Sequence, residues 1–299
     1  MDWMKFKNIY FAISGIVIAL GVFSLIKWGL TFGVDFSGGS VIEYRLKSSV
    51  TETELTETLN KEGINLTSVQ NTTGSTYLFR LPPISEETKN KIDDVLKKKY
   101  KEVDGLRFEV VGPTVGPELI KKTIVALLVS SCAILFWVAF QFKSIKFGAS
   151  AILAMFHDSV VLVGTYSLLG HFYGAEVDFL FVTAALTILS FSVHDTIVVF
   201  DRVREINKRS GRNLGGLKGT VNIALTETMV RSLNNSFTIL FMLLALILLG
   251  GTTIKWFAVA LFIGTVSGTY SSPFVAVPIL VTWDEVASKI KPKKNFFKK

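Results

Sequence analysis

Six apolar runs dominate this chain and limit what it can fold into. Crossing the hydrocarbon core of a bilayer as a helix takes about 20 apolar residues. Runs of that kind lie near 9–28, 123–142, 147–170, 179–200, 233–250 and 256–281. The chain has 299 residues, 49% of them hydrophobic and bunched into these runs, so it reads as a multi-pass α-helical membrane protein with six transmembrane helices. An even number of spans places both termini on one side. The first run has a basic flank like a signal peptide, but Lys27-Trp28-Gly29-Leu30 offers no small-residue cleavage site, so a retained anchor is expected.

The formal net charge is +8, and its placement carries more than its size. Short cytoplasmic loops are enriched in Lys and Arg. Lys5 and Lys7 precede the first span, Lys143 and Lys146 join the second to the third, and Arg202, Arg204, Lys208, Arg209, Arg212 and Lys218 join the fourth to the fifth. The tail adds Lys289, Lys291, Lys293, Lys294, Lys298 and Lys299, whereas the short loops 171–178 and 251–255 contribute only Lys255. Both termini are therefore expected in the cytoplasm and residues 31–120 outside it. The basic clusters read as topology signals and contacts with membrane lipids, not as a nucleic-acid surface. The expected organisation is 1–30 as the N-terminus and first span, 31–120 as an extracytoplasmic domain, 121–283 as spans two to six, and 284–299 as a basic tail. Cys132, the one cysteine, lies in span two and is read as a packing residue, so the exported domain has no disulfide.

Within 31–120 the periodicity changes repeatedly. Residues 40–46 alternate like a strand, and Thr51 to Lys61 has helical spacing behind a capping-box pattern, Thr51 with Glu54. Short strands near 66–71 and 76–81 flank a turn at Thr72-Thr73-Gly74-Ser75. Pro82-Pro83 breaks the chain. Ser85-Glu86-Glu87 opens a helix to about Tyr100 whose lysines gather at the C-terminal end, where the helix dipole favours them. A last strand covers Arg107–Val111. The order βαββαβ predicts an α+β ferredoxin-like domain.

Gly38-Gly39 lies outside any phosphate-loop pattern, and no cysteine or histidine cluster has metal-ligand spacing, so neither a cofactor nor enzyme chemistry is expected. Ionisable groups inside the membrane are costly, and each is a functional candidate. His157 and Asp158 sit near the middle of span three, with Asp158 on a stripe with Ala151, Ala154 and Thr165. His194 and Asp195 lie in the inner half of span four, which also carries a polar stripe of Thr183, Thr187, Ser190 and His194. Arg231 opens span five, at a depth similar to that of Asp195, with Asn234, Asn235 and Thr238 beyond it. Burial raises the pKa of a carboxyl group and a neighbouring guanidinium lowers it, so a site holding both can change protonation when helices move. The same residues equally fit a static Asp195–Arg231 ion pair, with Asp158 capping a neighbouring helix and the two histidines hydrogen-bonded in packing roles. Asp201 and Arg202 read as interface anchors. In span six, small residues at i and i+4, Gly264 and Gly268, permit close helix contact in a run that continues through Thr269, Tyr270 and Ser271 to Pro273.

These segments together resemble the SecF family. The resemblance runs in order through Gly33-Val34-Asp35-Phe36-Ser37-Gly38-Gly39 and through Gly112-Pro113-Thr114-Val115-Gly116-Pro117. It continues through Phe147 to Asp158, His194 to Glu205, and Gly268-Thr269-Tyr270-Ser271-Ser272. The sequence departs from the family at His194, where Asn is common, and at Ser-Leu-Asn-Asn-Ser after Arg231 in place of a Thr-rich run. The resemblance implies a SecD partner, kinship with resistance-nodulation-division transporters, and work beside SecA and the SecY/SecE/SecG channel on an exported preprotein in the bacterial inner membrane. It further implies that a proton or sodium gradient drives that work, with Asp195 and Arg231 as coupling pair and Asp158 behind them. Two rival readings are a passive scaffold for SecD and the channel, and half of a small resistance-nodulation-division-type exporter; residues 31–120 are few for the latter.

Overall fold

The protein is described by a computed structural model covering residues 2–47, 50–73, 75–112, 115–142, 144–210 and 216–290. Pro113, Lys143, Arg212 and the tail from 291 onward, all singled out above, lie outside the described residues. A short 3-10 turn leads into α1 (Lys7–Lys27). There follow α2 (Val34–Ser37), β1 (Gly39–Leu46), α3 (Glu52–Lys61), β2 (Ser68–Thr73), β3 (Thr76–Leu81), α4 (Glu86–Tyr100) and β4 (Val103–Val111). The long helices are α5 (Val115–Phe142), α6 (Ile145–Tyr173), α7 (Phe179–Ser210), α8 (Gly216–Leu249) and α9 (Thr252–Ser271). A π-helical turn, Ser272–Ala276, joins α9 to α10 (Val277–Ile290). The chain divides into two units: a sheet unit of residues 30–126 with 170–179, and a helical unit made of the remainder.

In the sheet unit the strand order is β2-β3-β1-β4 with every neighbouring pair antiparallel, which is the interleaved split-βαβ arrangement. The helices start where their caps allow: Thr51 accepts from the Glu54 N–H and Ser85 from the Thr88 N–H, each at 3.3 Å. The expected capping box is half formed, because the Glu54 carboxylate turns away to Lys99 (3.0 Å) and Tyr100 (3.2 Å). Ile42, Tyr44, Leu46, Leu55, Leu59, Tyr77, Phe79, Ile92 and Leu96 pack into one core between sheet and helices. Burial, reinforced by the Asp93 carboxylate that its hydroxyl meets, pushes the Tyr44 phenol above its ordinary range. The last strand begins at Val103, four residues before the expected start, because Val103-Asp104-Gly105-Leu106 reads as a turn yet pairs along Tyr44–Leu46 of β1.

The glycines of the first resemblance segment have steric work here. Gly39 has φ +115°, and a Cβ on it would stand 2.8 Å from the Leu81 carbonyl oxygen. Likewise, a Cβ on Gly116 would stand 2.8 Å from the Phe36 carbonyl oxygen. The Gly33 N–H donates to Val177 O (2.9 Å) and the Asp35 carboxylate accepts from the Phe179 N–H (3.0 Å). With an ion pair between Arg80 and Glu176, these bonds draw 170–179 into the sheet unit.

Among the described residues, six helices are long and apolar enough to cross a membrane. Two helices reach well past their apolar runs. The fifth begins at Gly216, not near 233, since its first turns bury Val221, Ala224 and Leu225 but also carry the polar residues that hid them. The fourth continues to Ser210. Cys132 corrects a second expectation. It is exposed on α5, alongside Leu128, Val129 and Phe136, and does not pack inward. A helix apolar all round gives no sign of its buried face.

Glycine sets the close approaches of the helical unit. A Cβ on Gly164 of α6 would run into the Gly21 backbone of α1, and one on Gly264 of α9 would run into the Ile188 side chain of α7. Gly268, one turn on, would bring a Cβ to 3.4 Å from Ser192 Cα. At Pro273 the helix changes to π-helical form, and Ser272 Oγ donates back to Gly268 O at 3.1 Å.

Candidate functional site

Asp158 and Asp195 are buried inside the helical unit, and each is reached by side chains from other helices. Asp158, on α6, is 1% exposed. Its Oδ2 accepts from Ser192 Oγ of α7 (2.6 Å) and Ser271 Oγ of α9 (2.5 Å); its Oδ1 accepts from Ser267 Oγ of α9 (2.6 Å). His157 Nδ1 lies 3.0 Å from Oδ1. The arrangement follows from spacing. Ser267 and Ser271 stand four residues apart on one face of α9, and the glycines at 264 and 268 let that face press against α7. Ala151 and Ala154, on the expected stripe with Asp158, are buried with it.

Asp195, on α7, accepts from Ser232 Oγ of α8 at 2.6 Å. One turn along α8, Ser236 Oγ accepts from Thr269 Oγ1 of α9 (2.7 Å). Thr196, beside Asp195, meets Ser272 at 3.0 Å. The face of α7 carrying 192, 195 and 196 is thus bonded to α6, α8 and the α9–α10 bend. Tyr270 points elsewhere, donating to Tyr10 O at 3.0 Å.

The expected Asp195–Arg231 contact is replaced by Asp195–Ser232. Neighbouring residues on a helix point about 100° apart, so with Ser232 toward α7 the Arg231 side chain turns outward. It is exposed and lines a basin of about 870 Å³ with Asp201, Arg202, Glu205 and Glu227. The acids there are already engaged: Arg202 binds Glu205 and Glu227 at 2.5 Å each, and Arg204 binds Asp201 at 3.2 Å. Among the described residues Arg231 has no ion-pair partner. His194 is exposed too, as are Thr183, Thr187 and Ser190 of the polar stripe and Asn234, Asn235 and Thr238 of α8. The polar side of α7 that the sequence marks therefore faces outward, and its acid faces inward.

Ser232, Ser236 and Ser267 were not read from the sequence as site residues, although 232–236 stands out as a departure from the family pattern. The signal that could have found them is the i, i+4 repeat of serine within apolar helices, at 232/236 and 267/271. Among the described residues, no group of three or more His, Cys, Asp or Glu is placed to hold a metal ion.

A family profile described as "Protein export membrane protein SecD/SecF, C-terminal" matches residues 91–286, and one described as "SecD/SecF GG Motif" matches residues 23–50. The protein translocase subunit SecF of Thermobaculum terrenum is 41% identical over 300 residues, covering 95% of this chain and 94% of its own. The protein translocase subunit SecDF of Thermus thermophilus is 36% identical over 85% of this chain, which matches 35% of that longer protein. A crystal structure of Thermus SecDF, described as a translocon-associated membrane protein, matches with a TM-score of 0.85 at 33% identity, over 95% of this chain and 39% of that one. A structure of SecDF in a super-membrane-facing form matches with a TM-score of 0.70 at 32% identity. With matched profiles over most of its length and SecF relatives covered almost end to end, the chain belongs to the SecD/SecF family of protein-export membrane proteins.

Proposed function

We propose that this chain is a SecF-type translocase subunit that works with a SecD-type companion and uses an ion gradient, protons in the first instance, to drive late steps of protein export. The reading is carried by the outer wall of α7 and α8. Thr183, Thr187, Ser190, His194, Arg231, Asn234, Asn235 and Thr238 are exposed on helices that have to cross a bilayer. Polar side chains at membrane depth face protein or water, not hydrocarbon. A companion set of helices meets that need, and the matched SecDF chain is long enough to contain one.

The proposed coupling set spans that wall: Arg231 and His194 stand on it, and Asp195, then Asp158 with His157 beside it, are buried behind it. An ionised Asp195 accepts from Ser232; a protonated one can donate, which alters the grip of α7 on α8. Arg231, with no ion-pair partner among the described residues, supplies the cation that a carboxylate on either subunit can take. One charge crossing 100 mV releases about 2.3 kcal/mol, enough to bias a two-state equilibrium roughly fiftyfold. Both termini would lie in the cytoplasm and the sheet unit outside, where it meets the emerging preprotein.

Exchange of Asp195 for Asn in cells tests the reading. Export of a reporter should fall at least tenfold while the companion still co-purifies; normal export would remove Asp195 from the mechanism. The scaffold reading is favoured for Asp158 by its complete set of donors. Asp158→Asn that lowers the yield of the complex, but not the export rate per complex, would place Asp158 in assembly alone.

A further inference from the structure

The basin of about 870 Å³ between α7 and α8 is lined by four cations, Arg202, Arg204, Lys208 and Arg231, and three carboxylates. The carboxylates are all taken. Arg202 holds Glu205 and Glu227, Arg204 holds Asp201, and Arg209, which does not line the basin, also reaches Glu205 at 2.8 Å. Lys208 and Arg231 are exposed and have no ion-pair partner among the described residues. The basin therefore holds one formal positive charge in excess and two cations with no anion to meet.

Its depth is defined by the helices that form it. Val198 belongs to the fourth apolar run, and Arg231 stands just before the fifth. From Val198 to Lys208 α7 rises about 15 Å. The headgroup layer on one side of a bilayer is about 5–8 Å thick. The basin thus begins at the edge of the hydrocarbon and passes through the whole headgroup layer. An arginine at the end of a membrane helix extends its guanidinium into that layer.

We propose that this basin binds the headgroup phosphate of an anionic phospholipid, with Arg231 and Lys208 as its cations. Basic pockets between membrane helices suit anionic headgroups. A guanidinium offers a phosphate two parallel N–H bonds, and an ammonium adds a point charge. The sign of the excess charge selects the lipid. A zwitterionic headgroup brings its own cation to a basin that already has one too many, whereas a phosphate diester with no amine brings the single negative charge that is lacking. The depth selects a lipid over a free anion, because the phosphates of the bilayer lie at the level of the basin. The volume falls within the range of ligand pockets, about 300–1,000 Å³. On the coupling reading above, this phosphate competes with a carboxylate for Arg231; the binding itself needs no gradient and does not depend on that reading.

The test uses the full chain with its companion in detergent micelles, titrated with dioctanoyl phosphatidylglycerol and followed by native mass spectrometry, which counts bound lipids. The difference between wild-type and variant complexes isolates this site from any on the companion. The wild-type complex should hold one more phosphatidylglycerol than the Lys208→Gln/Arg231→Gln double variant. That lipid should bind at least fivefold more tightly than dioctanoyl phosphatidylcholine, and each single variant should weaken it at least threefold. Arg231→Lys keeps a charge and should bind more tightly than Arg231→Gln, which separates loss of charge from loss of fold. The proposal is overturned if phosphatidylcholine binds as tightly, since the charge is then not read. It is overturned if inorganic phosphate displaces the lipid at equal concentration, which makes the basin a free-anion site. It is overturned if Lys289→Gln, on α10 and outside the basin, weakens binding as much as Arg231→Gln, because the whole basic surface then attracts the lipid. Binding that appears only after the companion is removed overturns it as well, since a protein then covers the basin.

Discussion

In the sheet unit, Ser40 and Ala175 apart, the fully buried side chains are large and apolar, among them Tyr44, Tyr77, Phe79, Ile42, Leu55 and Leu96. The helical unit buries large groups too, but it adds Ala151, Ala154, Ala224, Ala258, Ala260 and Ala276, and a polar set that includes Asp158, Asp195, Ser192, Ser236, Ser271 and Ser272. The difference follows the solvent. In water, removing apolar area yields about 25 cal/mol per Å², so volume is the useful quantity. In lipid the surroundings are as apolar as leucine, and helices associate through close approach and hydrogen bonds. Small residues give the first and serines the second, which is why Asp158 can be held by serine hydroxyls from two helices besides its own.

One chemical change made in both units bears on this most heavily. Leu96 and Leu280 are each 0% exposed. Leu96→Ala should cost the sheet unit about 2–5 kcal/mol. Leu280→Ala should cost about 2 kcal/mol less, because the deleted carbons, at about 0.8 kcal/mol per CH₂, are no longer transferred from water. Hydrogen exchange on the full chain in nanodiscs reads both units in one sample. Equal losses would break the comparison. Next in size is an addition. Gly164→Ala places a methyl against Gly21 and should cost about 1–3 kcal/mol, whereas Gly15→Ala on α1 meets nothing within 4 Å and should be neutral or stabilising by up to about 1 kcal/mol. If the two behave alike, glycine contact is not what joins α1 to α6.

What could be read beforehand divides along the same line. In the sheet unit, strand alternation, the caps at Thr51 and Ser85 and the turn before β3 led to the observed order, because burial in water forces polar and apolar residues onto opposite faces. The misreading at Val103–Leu106 came from an edge strand whose pairing is supplied by β1, not by its own residues. In the helical unit the number of spans was legible and their inward faces were not. Periodicity placed Thr183, Thr187, Ser190 and His194 on one side of α7, but lipid, companion and core accept apolar residues alike, so it could not say that this side faces out. The contact between Asp195 and Ser232 in place of Arg231 has the same origin: depth along the membrane follows from counting residues, and rotation about the helix axis does not.

Serine donors should give smaller effects than either volume change. Ser271→Ala removes one of the bonds to Asp158 Oδ2 and should cost in the range from about 0.6 to about 1.7 kcal/mol, the mean and the maximum measured for hydrogen bonds between helices in one membrane protein. Ser288→Ala on α10, whose hydroxyl donates to Glu285 O of its own helix, should fall below that range. An effect of Ser271→Ala above that of Leu280→Ala would mean that the polar set contributes more than packing, and the contrast between the units would sharpen.

The smallest effect belongs to an exposed pair in the sheet unit. Lys99 and then Tyr100 hold the Glu54 carboxyl below its ordinary value of 4.5. A lowered value means the unfolded chain binds the proton more readily. The contribution is therefore present above about pH 4.5 and is lost as pH falls through the folded value. Glu54→Gln should flatten the acid limb of sheet-unit stability below pH 4.5 and change little at neutral pH. Exchange rates of the β1 and β3 amides in the full chain, corrected for intrinsic pH dependence, report it. Because the pair is solvent-exposed, 0.5 M salt should flatten the wild-type limb in the same way, since screening at that strength acts within a few ångströms. A limb that survives both the substitution and the salt would have to come from a carboxylate shielded from solvent, and not from this pair.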